Sequence, residues 1–145
     1  MPQLAIRFLL VSILAVIAAC ATAGAGHVDA ADDPLVASLQ VETRPDSVHL
    51  ILQVTNVSTS AVVLDFPSGQ SFDFLVSRGG FEIWRWSADR SFTQALRTET
   101  LPPGETRAFD AAWRPTAGTR GDFVAVGRLT ARGRPAEQRA DFRLP

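Results

Sequence analysis

The sequence predicts an all-β protein, an antiparallel β-sandwich of about seven or eight strands. Three observations carry this. From Leu35 onward apolar and polar residues alternate with period two, as in strands with one face buried. Clusters of Gly, Pro, Ser and Asp separate the alternating runs, as turns do. Residues 35–145 are long enough to bury one core.

Taken in order, Leu35, Ala37, Leu39 and Val41 alternate with polar neighbours. After a turn at Arg44-Pro45-Asp46, Val48, Leu50, Leu52 and Val54 face one way and His49, Gln53 and Thr55 the other. Further runs cover 60–66, 70–77, 81–87, 104–113, 121–132 and 139–144. Turn residues stand between them at Pro67-Ser68-Gly69, Arg78-Gly79-Gly80, Pro102-Pro103-Gly104, 115–118 and 133–135. The stretch SADRSFTQALR breaks the period. There Phe92, Ala95 and Leu96 fall at i, i+3 and i+4, which predicts a short helical turn.

The stretch FDFLVSRGGFEIWRWS, residues 72–87, reads as a hairpin. With Arg78-Gly79-Gly80 as a three-residue loop and Gly80 left-handed, Phe72 faces Trp86, Phe74 faces Trp84 and Val76 faces Glu82. On the other face Leu75 meets Ile83 and Asp73 meets Arg85. A two-residue loop would set Asp73 against Trp86, a poorer match, since cross-strand aromatic and opposite-charge pairs each add roughly 0.2–1 kcal/mol. Phe72, Phe74, Trp84 and Trp86 are therefore expected to pack in the core. The alternative for this face is an exposed aromatic recognition strip.

The N-terminus reads as an export signal over residues 1–19. Arg7 precedes an apolar run from Phe8 to Ala19, broken only by Ser12, shorter than the ~20 residues a membrane span needs. Ile17-Ala18-Ala19-Cys20 resembles a bacterial lipobox, and Cys20 is the only cysteine. Cys20 is expected to be lipidated, since two or three acyl chains anchor stably. Residues 20–34, small, Gly-containing and acidic, form a tether with a reach of roughly 20 Å. Ala21 rather than Asp after the cysteine resembles Gram-negative sorting patterns, which implies the outer membrane of a bacterial cell envelope, facing the periplasm, over retention at the inner membrane.

Composition narrows the chemistry. The net charge is −1, and all 14 basic residues are arginine, without the basic patch that nucleic-acid binding requires. No Gly-rich phosphate loop, C-x-x-C or His-Glu-x-x-His spacing occurs. The folded part holds one histidine, His49, and no cysteine, so neither a metal nor another cofactor is expected. His49 lies mid-strand among polar residues and reads as a surface histidine; an enzyme is not expected.

Several stretches resemble the intracellular proteinase inhibitor (BsuPI) domain. They are FPSGQSFDF at 66–74, GFEIWRWS at 80–87, FTQAL at 92–96 and LPPGE at 101–105, with Asn56, Trp113, Gly121-Asp122-Phe123, Gly127 and Leu129. The resemblance spans about residues 36–132. It implies an immunoglobulin-like sandwich and, for the founding member, inhibition of a serine proteinase. The shared positions Asp73, Phe74, Trp84, Arg85, Trp86, Ser87, Phe92 and Gln94 read as mainly structural. A partner is therefore expected at exposed loops: first Arg78, Gly79 and Gly80, then 88–90 and 97–100. The leading expectation is a lipid-anchored envelope domain inhibiting a proteinase by protein–protein contact. The alternative is an assembly module of the envelope without that activity.

Overall fold

The computed structural model describes residues 33–134 and 136–145. The expected signal segment 1–19, Cys20, His27 and the tether as far as residue 32 lie outside the described residues. Nine strands follow in order: β1 Leu35–Thr43, β2 Val48–Asn56, β3 Val62–Phe66, β4 Phe72–Arg78, β5 Phe81–Arg85, β6 Arg97–Leu101, β7 Thr106–Trp113, β8 Gly121–Leu129 and β9 Glu137–Leu144. All pairings are antiparallel. They form a sheet β1-β2-β7, a sheet β5-β4-β8-β9 and a two-stranded pair β3-β6.

The period-two pattern places the core. Every second residue of β2, from Val48 to Asn56, is buried. Leu50, Leu52 and Val54 join Phe74 and Val76 of β4 and Phe123 and Ala125 of β8 in one cluster. β1 packs beside β9 and β8, so the expected β-sandwich forms with its apolar faces inward. The β3-β6 pair adds Val62, Leu64, Phe66 and Leu101 to the same core. It is tied to the chain after β8 by the Arg132 N–H donating to the Asp65 carbonyl at 2.7 Å.

Asn56 ends β2 and is wholly buried. Its Nδ2 donates to the Ser60 and Leu101 carbonyls at 2.8 and 2.9 Å, and its Oδ1 accepts from Ser58 N–H and Oγ–H at 3.0 and 2.7 Å. A buried amide with both donors and its acceptor used locks its surroundings. Asn56 therefore fixes the loop after β2 against the end of β6.

Two expectations change. The stretch 87–97 forms no helical turn. After a turn at 86–89 the chain runs to Leu96 without turn or bend and enters β6 at Arg97. Ala95 and Leu96 are exposed, so the apparent helical spacing marks no buried face. β6 is the strand not anticipated, and it occupies the 97–100 stretch expected to be a loop.

The hairpin register also differs. Arg78 pairs with Phe81 across a two-residue loop, Gly79 and Gly80, at φ 56° and 85°. Positive φ at both central residues is the turn that matches strand twist. Ser77 opposes Glu82 and Val76 opposes Trp84, leaving Ile83 as a bulge. The expected opposite pairs Phe72/Trp86, Phe74/Trp84, Val76/Glu82 and Leu75/Ile83 are thus replaced by Val76/Trp84 and Leu75/Arg85.

Gly127 of β8 faces the other sheet. An added Cβ would lie 2.9 Å from Phe74 Cε1 and 3.1 Å from Leu39 Cδ1. Gly127→Ala should cost about 1–3 kcal/mol by overpacking, seen as a lower urea midpoint with an unchanged slope.

Candidate partner-contact site and its support

β4 and β5 gather the motif residues. Asp73 points to the outer face of its sheet yet its side chain is only 3% exposed. Its Oδ2 accepts from Arg85 Nη1 at 3.0 Å, Ser87 Oγ at 2.9 Å and Arg128 Nη2 at 3.4 Å. Its Oδ1 accepts from the Ser87 backbone N–H at 3.2 Å. The expected Asp73–Arg85 pair is therefore present as the centre of a larger cluster. Arg85 also bonds Glu82, through Nε to Oε1 at 2.9 Å and through Nη2 to Oε2. Those bonds to Glu82, then to Asp73, hold Arg85 more firmly protonated than usual. The same guanidinium holds the Glu82 carboxyl below the ordinary carboxylate range.

On the inner face lie the aromatics. Phe74 is buried, while Phe72, Trp84 and Trp86 pack against the core with part of their surface exposed. Trp86 stacks on Phe72 at 4.2 Å and Phe72 on Phe109 of β7 at 4.9 Å. The Arg90 guanidinium lies 4.4 Å from the Trp86 ring, and its Nε donates to the Trp86 carbonyl at 3.1 Å. This column closes the gap between the two sheets.

The hairpin tip carries Arg78, Gly79 and Gly80 at the surface. The Arg78 side chain turns back: its guanidinium lies 5.5 Å from the Phe123 ring and packs over Gly121. The tip instead presents Phe81, 77% exposed. Of the other expected loops, 88–90 is exposed, whereas 97–100 is strand. Arg97 is held 4.7 Å from the Phe66 ring and donates to Ser71 Oγ at 2.6 Å.

Phe92 and Gln94 stand on the segment between these features. The Phe92 ring lies 5.7 Å from Trp86. The Thr93 carbonyl accepts from Gly69 N–H at 2.9 Å, an approach that a Cβ on Gly69 would obstruct by meeting Thr93 Oγ1 at 2.7 Å. Gln94 is exposed, and its Nε2 donates to the Phe92 carbonyl at 3.3 Å. Sequence reasoning missed this exposed strap because helical spacing masked it. It also missed Arg128, whose place beside Asp73 follows only from the β4–β8 register.

Asp73→Asn keeps the shape but removes the charge facing two guanidinium groups. It should destabilise by about 2–4 kcal/mol, less than for a wholly buried pair because Arg85 and Arg128 reach solvent. Denaturant titration at neutral pH measures it.

No curated protein matches the chain. Among solved structures, the CARDB domain of a Pyrococcus furiosus protein is 17% identical with a TM-score of 0.42, covering 77% of this chain and 92% of that one. The sporulation control protein Spo0M of Bacillus subtilis is 16% identical with a TM-score of 0.41, covering 77% and 48%. A β-glucosidase of Erythrobacter marinus is 14% identical with a TM-score of 0.39; 74% of this chain matches 15% of that enzyme. Such loose likenesses say nothing about activity. The family comparison does more: residues 35–134, which contain the Asp73 cluster, the aromatic column and the strap, match BsuPI, intracellular proteinase inhibitor. The chain belongs to that family.

Proposed function

We propose that the protein is a lipid-anchored proteinase inhibitor of the bacterial cell envelope, acting by protein–protein contact. The family match over residues 35–134 carries the inhibitory part. The geometry fits this reading, because the ionisable motif residues bind one another. Asp73, Arg85 and Ser87 are engaged in one cluster, which leaves exposed backbone as the means of contact.

The anchor rests on Arg7, the apolar run to Ala19 and Cys20. Lipidated there, the domain would hang from the membrane on a short tether and meet proteases at the periplasmic surface. Mass spectrometry of the membrane fraction should find an N-terminal peptide acylated on Cys20; a peptide without acyl chains removes the anchor.

A second reading, an envelope assembly module, draws on the structural use of the same motif. One measurement separates the two. The purified full chain should slow a subtilisin-like, trypsin-like or envelope serine protease stoichiometrically and survive uncleaved. A panel left unaffected at micromolar protein favours the assembly module.

A further inference from the structure

We propose that residues 91–96 are the protease-contact segment, presented as a substrate would be, with Leu96 entering an apolar specificity pocket. The inference rests on the inhibitor reading and names its contact.

A serine protease binds an extended chain by strand-like backbone pairing and takes one side chain into its specificity pocket. Such a ligand must be extended, exposed and unused by its own fold. Within 91–96, Gln94, Ala95 and Leu96 are exposed, while Phe92 and Thr93 are held by the fold. The whole segment runs without turn or bend. Among the described residues, no backbone N–H or carbonyl of Gln94, Ala95 or Leu96 is hydrogen-bonded within the chain. Leu96 is 74% exposed.

The segment is also held at both ends. On one side Phe92 rests on Trp86 and the Thr93 carbonyl on Gly69 N–H. On the other, Arg97 lies over Phe66 and bonds Ser71. Holding the ends lowers the ordering cost of binding. It would also keep the strap in place if a protease attacked it.

The same contacts select the pocket. The two arginines nearest the strap are occupied, Arg90 over Trp86 and Arg97 over Phe66. Neither can extend into an acid-lined pocket without breaking its stack, so the protruding side chain is Leu96. An apolar slot of the chymotrypsin or subtilisin kind fits it. The rival is the hairpin tip with Phe81. Phe81 directly follows two glycines at positive φ, a turn that cannot lie extended in a cleft.

The test measures inhibition of subtilisin, chymotrypsin and trypsin by the full chain and its variants. Wild type should inhibit the first two better than trypsin. Leu96→Ala should weaken this by about 30-fold, as loss of an interface anchor does, with the melting temperature unchanged. Leu96→Arg should gain inhibition of trypsin, which misfolding cannot produce. Val63→Ala, at another exposed apolar site, on β3, should behave as wild type. If wild type inhibits and Leu96→Ala inhibits equally, the segment assignment fails and the inhibitor reading stands. If Phe81→Ala is the variant that loses inhibition, the contact belongs to the hairpin. If wild type inhibits none of the three, the assignment of Leu96 to an apolar pocket falls, and the inhibitor reading falls with it only when envelope serine proteases are unaffected as well.

Discussion

Asp73 stands on a central strand with almost none of its carboxylate in water, and a charge at that depth is tolerable only if its oxygens are filled. Filling them organises one whole side of the molecule. Ser87 supplies two donors and thereby fixes the turn that leaves β5. Arg85 and Arg128 bring in the strands on either side of β4. With the turn placed, Trp86 sits over Phe72, which sits over Phe109 of the opposite sheet. The carboxylate on the outer face thus determines where the aromatics on the inner face meet.

That arrangement needs the correct faces on β5, and two irregularities secure them together. A two-residue loop at Gly79-Gly80 displaces the partner of every β4 residue by one position relative to a three-residue loop. Alone, it would turn Trp84 and Trp86 outward, because a slip of one residue reverses a strand's faces. The bulge at Ile83 adds one further residue and restores them. Turn and bulge are therefore coupled: either alone would bring a tryptophan opposite Asp73. The bulge also lies on an edge strand, where such irregularity discourages pairing with other chains.

This coupling explains how much was legible in the sequence. Face assignment depends on the parity of the register, so the aromatic face and the Asp73–Arg85 contact were readable although each expected cross-strand partner was displaced. Buried strands such as β2 were readable because every second residue is apolar. β6 was not, because RTETL carries one apolar residue and its inward positions include Arg97 and Glu99, half-buried in an ion pair. The strap was missed for the converse reason. Phe92 and Leu96 look like one helical face, yet Phe92 is claimed by Trp86 and Leu96 by nothing. Period reasoning treats apolar residues as seeking a common core, and an apolar side chain left outside defeats it.

The exposed leucine carries the functional argument further than the tryptophans do. The motif residues Gly69, Trp86 and Phe92 are spent on holding the strap: Gly69 permits the backbone approach to Thr93, and Trp86 receives Phe92. An inhibitor built this way separates support from contact. The support requires particular residues, because packing and hydrogen bonds are specific; the contact requires an extended backbone and one side chain suited to the target's pocket. Changing Leu96 alone would then redirect the inhibitor while the Asp73 cluster and the aromatic column continue to hold the strap in shape.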